Sequence, residues 1–180
     1  MNWVAFFSQT GSEIVNICEE IDRWPDLIVT NRMDGFDKIN PKLTQRILNG
    51  KQRMLMVEKK PPVHRYDEAI RTGSVVTLHG WLRIIPEEIC SKYQIYNGHP
   101  GLITKYPELK GKDPQERAFE GKYETAGSVI HKVVPEVDAG TVLEEKEINI
   151  KGMSLDEVYK SLHVVSTDLW VEVLKGEFNE

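Results

Sequence analysis

Residues 74–100, SVVTLHGWLRIIPEEICSKYQIYNGHP, contain two short apolar runs with a helical stretch between them. Residues 74–78 and 93–96 have the length and the β-branched or aromatic content of strands, and residues 86–92 fit one or two helical turns. A strand, a helix and a second strand in this order are typical of a parallel sheet. We therefore predict that Asn97 follows a parallel strand at its carboxyl end, where ligands of open sheets bind.

The same alternation of apolar runs and amphipathic stretches continues along the chain. The predicted strands lie at 4–7, 27–30, 53–57, 128–134 and 141–150, and the predicted helices at 11–24, 41–48, 66–72, 113–121 and 154–174. Ser154 and Glu157 have the spacing of a capping box at the start of the last helix. The predicted fold class is therefore α/β, a Rossmann-like and mostly parallel sheet with helices on both faces, formed by residues 1–180 as a single domain.

Composition and charge exclude several classes of function. The formal net charge is -5, so no overall positive field attracts nucleic acid, and we expect no nucleic-acid partner. One basic cluster, Lys51, Arg53, Lys59 and Lys60, is interpreted as the solvated flank of a strand. No apolar segment has the length of a membrane span and no basic leader precedes the first strand, so we expect no membrane partner and a cytoplasmic location.

The two cysteines, Cys18 and Cys90, are too few and too far apart to indicate a disulfide framework or a zinc site. Cys18 falls in a helical pattern, where it would pack as a small hydrophobic residue. We expect a reducing compartment and no metal.

Three side chains suited to acyl-group transfer occur in two short motifs, Asn97-Gly98-His99-Pro100 and Asp138-Ala139-Gly140. An amide can donate to the oxygen of a tetrahedral intermediate, an imidazole can transfer protons near neutral pH, and a carboxylate can orient that imidazole. Taken alone, each motif also fits a simple turn, since Asn-Gly and Asp residues are common in turns.

The wider stretch from Val75 to Val142 resembles the folate-dependent formyltransferase family, and within it the branch that formylates glycinamide ribonucleotide. Residues 76–86, VTLHGWLRIIP, resemble the family's strand and folate-pocket loop. Residues 96–107, YNGHPGLITKYP, resemble its Asn-x-His-Pro-Ser-Leu-Leu-Pro-x-Tyr-Pro signature. TAGSVIH at 125–131 and EVDAG at 136–140 resemble the two elements of its third block. Three blocks in the same order are far more specific than one motif.

The resemblance implies a formyltransferase-like catalytic domain over residues 1–180 and roles for individual residues. Asn97 would donate to the formyl oxygen, His99 would act as general acid and base, and Asp138 would orient His99. The donor 10-formyltetrahydrofolate would contact the residues Leu82, Arg83, Ile84, Ile85, His131, Val134 and Val137. The acceptor would contact Gly11, Ser12, Glu13 and Pro100.

The chain departs from the family mainly on the acceptor side. Glu13 stands where the family has an Asn in a phosphate-binding loop, and a carboxylate there would repel a phosphate. Thr10 and Glu13 also have the spacing of a capping box, which would explain the loop without a ligand. His64, His79 and His163 are interpreted as structural, and no acidic residue near His163 matches the one that positions the acceptor amine in the family.

The predicted function is transfer of a formyl group from 10-formyltetrahydrofolate to a primary amine, with glycinamide ribonucleotide as the first choice and purine biosynthesis as its setting. The expected partner is a small-molecule amine, with a homodimer left open. An amino-sugar nucleotide, an aminoacyl-tRNA or water remain as alternative acceptors, the tRNA being disfavoured by the acidic charge. A folate- or nucleotide-binding protein without catalysis is the alternative of a different class.

Overall fold

The computed structural model describes residues 1–179 of the chain. Its strands are β1 (Trp3–Phe7), β2 (Leu27–Thr30), β3 (Met54–Met56), β4 (Val75–Leu78), β5 (Ile95–His99), β6 (Thr125–Lys132) and β7 (Val142–Asn149). Its α-helices are α1 (Ser12–Ile21), α2 (Pro41–Leu48), α3 (Val63–Ala69), α4 (Glu87–Lys92), α5 (Pro114–Glu120) and α6 (Leu155–Phe178). Short 3-10 helices occupy Phe36–Lys38 and Pro107–Leu109. The strand order is β3-β2-β1-β4-β5-β6-β7 in a mixed sheet.

The described chain contains two compact units. Unit 1 comprises Met1–Asn97 and Val133–Pro135, and unit 2 comprises Gly98–Lys132 and the residues from Glu136 onward. In unit 1, β1 pairs in parallel with β2 on one side and with β4 on the other, so that Val4 lies opposite Leu27 and Val76. All five residues of β1 are buried, which is the pattern of a central parallel strand covered on both faces.

An aromatic group packs on one face of the unit 1 sheet. The Trp81 ring meets the Phe6 ring edge-on with centroids 5.2 Å apart and contacts the Tyr66 ring at 6.3 Å. Ile85 and Ile89 belong to the same buried cluster. This core fixes the loop after β4, because Trp81 and Ile85 anchor it at two points.

Unit 2 is built on the antiparallel pair β6 and β7, with α5 and α6. β6 is buried along most of its length, whereas β7 is largely exposed and carries Glu144, Glu145 and Glu147. The core joins Val129 of β6 to Val158 and Leu162 of α6. The capping box between Ser154 and Glu157 is present as predicted.

The predicted α/β class with a mostly parallel sheet is confirmed, and every predicted helix and strand has a counterpart. The boundary of α6 differs most, since that helix ends at Phe178 and was predicted to end at about Leu174. Helix α1 was predicted to continue to Trp24. It ends at Ile21 because Asp22 adopts a left-handed conformation, with φ of 52°, and its N–H bonds to the Cys18 carbonyl. Within residues 1–179, no helix is long and apolar enough to cross a membrane.

Candidate active site

The carboxylate of Asp138 lies between two buried histidine rings in unit 2. His99, the last residue of β5, places Nδ1 3.4 Å from Oδ2 of Asp138. His131, near the end of β6, places Nε2 3.3 Å from Oδ1 of the same residue. The three side chains are 7%, 8% and 3% exposed for His99, Asp138 and His131, so water contributes little to their solvation. The predicted pairing of His99 with Asp138 is therefore present in the structure.

The second nitrogen of each ring faces a backbone carbonyl. Nε2 of His99 lies 2.9 Å from the Leu109 oxygen, and Nδ1 of His131 lies 3.1 Å from the Lys132 oxygen. A carbonyl oxygen only accepts, so both of these nitrogens are N–H donors. The nitrogen of His99 that gains or loses a proton is therefore Nδ1, which faces Asp138. A proton added there is stabilised at once by the carboxylate.

Burial and charge act in opposite directions on this group. Burial lowers the pKa of His99 below its ordinary value of 6.5, although the charge of Asp138 and the Leu109 carbonyl raise it in part. Burial alone would raise the pKa of Asp138, but the contact with the His131 ring, the charge that His99 carries when protonated and the Gly111 N–H hold that pKa below its usual range. At neutral pH the cluster thus combines an ionised carboxylate with a neutral His99 ring that can accept a proton.

The loop of residues 108–112 holds this cluster from outside the sheet. The Leu109 carbonyl accepts from His99, and the Gly111 N–H donates to Oδ2 of Asp138 at 2.9 Å. Gly111 has φ of 92°, which suits glycine far better than other residues. Asp138 itself has φ of 53°, a left-handed conformation that Asp tolerates better than most residues. Both residues of the Gly111–Asp138 hydrogen bond therefore have a positive φ, which most residues avoid.

The remaining predicted residues of this region occupy varied environments. Asn97 is half-buried in β5, two residues before His99, and Pro100 is also half-buried. Val134 is half-buried, and Val137, directly before Asp138, is 48% exposed. An exposed valine directly before the Asp138 carboxylate suits contact with a ligand.

In unit 1, Glu13 takes part in a hydrogen-bond chain instead of a capping box. Oε1 of Glu13 lies 2.8 Å from Nδ1 of His79, and Nε2 of His79 lies 2.8 Å from the Thr77 hydroxyl oxygen. The Trp3 indole N–H donates to that hydroxyl at 2.9 Å. With the Thr77 hydroxyl donating to Nε2, Nδ1 of His79 donates to Glu13 and each of these hydrogen bonds has one donor and one acceptor.

The predicted capping box between Thr10 and Glu13 is wrong. Gly11 is the N-cap of α1, no side chain caps it, and the Thr10 hydroxyl accepts from the Ser12 N–H instead. Gly11 is buried with φ of 74°, and a Cβ there would meet the Leu43 side chain at 2.9 Å. The buried His79 ring attracts Glu13 away from the helix end. Glu13 remains 28% exposed, so its carboxylate is accessible from solvent.

A pocket of about 590 Å³ opens at the carboxyl ends of the unit 1 strands. It is lined by Ser8, Asn31, Arg32, Met33, Asp34, Lys59, Leu82 and Arg83. Arg32 and Lys38 both pair with Asp34, each at 2.9 Å. Among the described residues no carboxylate pairs with Lys59 or Arg83, so the lining has a net positive charge in an acidic protein.

The predicted donor residues of the loop after β4 divide between this pocket and the core. Leu82 and Arg83 line the pocket, and Leu82 is 65% exposed. Ile84 is 69% exposed, whereas Ile85 is 3% exposed and packs in the core of unit 1. The exposed side chains of Leu82 and Ile84 are accessible for contact with a ligand.

Comparison with protein families assigns the chain to a family. Residues 42–174, which are more than half of the chain, match the family described as formyl transferase. The chain belongs to the formyl transferase family. In this family member the matched residues include β5 with Asn97 and His99, as well as His131 and Asp138.

Two curated relatives differ in how much of their length this chain covers. The phosphoribosylglycinamide formyltransferase of Escherichia coli (strain K12) is 33% identical over 170 residues, which are 88% of this chain and 78% of that protein. The methionyl-tRNA formyltransferase of Thermotoga neapolitana is 32% identical over 104 residues, which are 56% of this chain. The chain covers only 32% of the length of that second protein.

Solved structures agree on the fold. Phosphoribosylglycinamide formyltransferase from Anaplasma phagocytophilum superposes with a TM-score of 0.80 at 19% identity, covering 97% of this chain and 85% of that one. The enzyme from Streptococcus pneumoniae TIGR4 gives a TM-score of 0.77 at 21% identity and covers 99% of both chains. The formyltransferase fold predicted from the sequence is therefore confirmed.

Sequence reasoning missed several residues of the site. Asn31, Arg32 and Asp34 line the pocket but match no motif, and their only signal is that they follow a buried strand at its carboxyl end. His131 was assigned to the donor, and the structure places its ring against Asp138. Within residues 1–179, no group of three or more histidine, cysteine or acidic side chains could hold a metal ion.

Proposed function

We propose that this protein transfers a formyl group from 10-formyltetrahydrofolate to a primary amine, and that the amine is glycinamide ribonucleotide. The observation that carries the proposal is the pairing of a buried, neutral His99 with an ionised Asp138 at the end of the strand that contains Asn97. A binding protein without catalysis has no need of a proton acceptor with a lowered pKa beside a carboxylate.

The proposed reaction assigns one task to each residue. The acceptor amine attacks the formyl carbon, and its nitrogen forms a new bond to that carbon. Asn97 precedes His99 by two residues, and alternate residues of a strand project to the same side, so its amide would donate to the formyl oxygen as negative charge develops. Nδ1 of His99 accepts the proton that the amine loses and returns it to N10 of the folate as the old bond breaks.

Asp138 would stabilise the imidazolium that exists between these two proton transfers. Its Oδ2 lies 3.4 Å from the nitrogen that takes the proton, and burial strengthens the attraction. His131 shares the same carboxylate, so its ring would limit the movement of Asp138 during the reaction. We assign His131 to this positioning role and propose that Leu82, Arg83, Ile84, Val134 and Val137 contact the donor.

Support for a phosphorylated acceptor comes from charge and from similarity. The unit 1 pocket has the size of a small-molecule site and an excess of positive side chains, which suits an anionic ligand. Leu82 and Arg83 of its lining are assigned to the donor, so the acceptor's phosphate would face Arg32 and Lys59. The Escherichia coli relative, named for phosphoribosylglycinamide, is covered over 78% of its length. The methionyl-tRNA formyltransferases are covered over a much smaller part, so they support the chemistry more than the acceptor.

The test is an acceptor screen with purified protein and 10-formyltetrahydrofolate. Glycinamide ribonucleotide, an amino-sugar nucleotide and methionyl-tRNA are offered separately, and the formylated products are measured by mass spectrometry. We expect glycinamide ribonucleotide to be formylated fastest, and His99→Ala to lower that turnover by about 10²–10⁴-fold. Faster formylation of another amine would replace the proposed acceptor. Donor binding without transfer to any of the three would favour the binding protein.

A further inference from the structure

Arg117 of α5 contacts four carbonyl groups of the loop at residues 108–112. Its Nε donates to the Lys112 oxygen at 2.9 Å, and Nη1 donates to the Glu108 oxygen. Its Nη2 donates to the oxygens of Leu109 at 3.1 Å and Lys110 at 2.9 Å. The planar guanidinium has five N–H donors in a fixed arrangement, which lets one side chain bind several carbonyls at once.

The same loop provides two contacts to the candidate catalytic pair. The Leu109 oxygen accepts from Nε2 of His99, and the Gly111 N–H donates to Asp138. The Leu109 oxygen is therefore shared by Arg117 and His99, and it fixes which ring nitrogen of His99 carries the permanent N–H. The charge of Arg117 contributes to lowering the pKa of His99, after burial as the main cause. The hydrogen bonds of Arg117 act on the pair through the backbone of the loop.

The other contacts of the loop at residues 108–112 do not orient its carbonyl groups. The Tyr123 hydroxyl donates to the Glu108 side chain at 2.6 Å, and the Leu109 and Lys110 N–H groups bond to carbonyls of the preceding turn. These contacts fix a side chain and two N–H groups. The bonds that orient the carbonyl groups at 108, 109, 110 and 112 come from Arg117.

We propose that Arg117 is a positioning residue for catalysis, which holds the carbonyl of Leu109 against His99 and thereby keeps the Nδ1 face of the ring toward Asp138. This rests on the proposed function insofar as His99 acts in formyl transfer. The geometric part of the proposal concerns the His99 N–H alone, and it is testable without any activity.

The first experiment is nitrogen NMR of the imidazole N–H groups in the full-length protein. The Nε2 proton of His99, assigned by its loss in His99→Ala, should be protected from exchange with water in the wild type. In Arg117→Met the exchange should accelerate at least about tenfold, since exchange of a hydrogen-bonded proton requires the bond to open. Arg117→Lys should lie between, because one ammonium cannot satisfy four carbonyls.

Arg65→Met is the matched control. Arg65 also bonds to a backbone carbonyl, that of Met56, and to Glu58 and Glu68, but it lies in α3 of unit 1. In Arg65→Met the Nε2 proton of His99 should exchange with water at the wild-type rate. The proposal would be overturned if the Nε2 proton were as protected in Arg117→Met or Arg117→Lys as in the wild type. It would also be overturned if that proton were unprotected in the wild type. Both outcomes hold whether or not the protein transfers formyl groups.

The second experiment is a double-mutant cycle on turnover. Arg117→Met should lower kcat by about 10- to 100-fold while the KM for the donor changes less than about twofold, because only the proton-transfer step is affected. In the His99→Ala background the same change should cost less than about twofold. An equal loss in both backgrounds would make Arg117 a purely structural residue. Inactivity of the wild type would refute the proposed function and leave the exchange measurement to decide the geometry.

Discussion

The indole nitrogen of Trp170 lies where a side chain at position 98 would have to stand. A Cβ built on Gly98 would be 2.8 Å from Nε1 and 3.3 Å from Cε2 of the fully buried Trp170 ring. Gly98 is the residue of β5 between Asn97 and His99, and Trp170 belongs to α6. The absence of a side chain at Gly98 therefore lets the Trp170 ring of α6 pack directly on the β5 backbone. Only glycine fits beside this ring without displacement.

Gly98→Ala is therefore expected to destabilise the protein by about 1–3 kcal/mol, the usual cost of overpacking a rigid site. Thermal or urea unfolding measures the change. Trp170→Phe in the same chain should recover part of the loss, since it removes the clashing nitrogen. Gly176→Ala is the control, because nothing lies within 4 Å of its Cβ position and alanine favours helix. A silent Gly98→Ala would show that Trp170 moves freely.

Asp138→Asn should move the acid limb of the pH–rate profile to lower pH. The charge of Asp138 raises the pKa of His99, so its removal lets burial lower that pKa further. A base loses activity as the pH falls through its pKa, so the limb, already below pH 6.5, should shift to lower pH while the maximal rate falls. The profile of kcat/KM against pH reports both changes.

Asp113→Asn is the control for that substitution, because Asp113 is an exposed aspartate in unit 2 with the same φ of 53°. It should leave the profile unchanged. A limb that stays in place in Asp138→Asn, in a protein that folds normally, would show that Asp138 does not tune His99.

Glu13 can be tested for two roles with two substitutions. Glu13→Gln keeps an oxygen that accepts from His79, whereas Glu13→Ala leaves a buried N–H without its partner and should cost about 1–3 kcal/mol more stability. If the carboxylate also repels a phosphorylated acceptor, both variants should lower the acceptor KM. Steady-state kinetics with a thermal melt separates the effects. An acceptor KM unchanged in both variants would confine Glu13 to its bond with His79.

Lys59→Met should raise the KM for an anionic acceptor by about three- to tenfold, because one unpaired charge near the ligand is worth roughly 1 kcal/mol. The stability should hardly change, as Lys59 is exposed. Lys60→Met removes the neighbouring charge, which does not line the pocket, and should have a smaller effect. Equal effects of the two changes would indicate a general field and not a specific contact.

The sheet was predictable because burial follows from local composition. Val75–Leu78 is buried at every position and its sequence is apolar except for Thr77, whose hydroxyl is bonded to Trp3 and His79. β6 was predicted to begin three residues late, since Gly127 normally weakens a strand. Here glycine is required, because a Cβ at that position would lie 2.2 Å from the Lys146 oxygen.

The candidate site was predictable only where motifs name it. Asn97, His99 and Asp138 were found through the family's signature, and the His99–Asp138 contact follows from it. The bonds of His131 to Asp138 and of His79 to Glu13 join residues 7 and 66 positions apart, and no local pattern encodes such a contact. Arg117 is similar, because its carbonyl partners have no sequence signature.

The left-handed backbone of Asp138 limits how this position could change over generations. Glycine, asparagine and aspartate readily adopt its φ of 53°, whereas β-branched residues are strained there. Single-base changes from an aspartate codon reach both Asn and Gly, which keep the turn but remove the charge. These single-base substitutions would therefore preserve the fold and remove the proposed catalytic carboxylate. One mutation could in this way convert an enzyme into a protein that only binds its ligands.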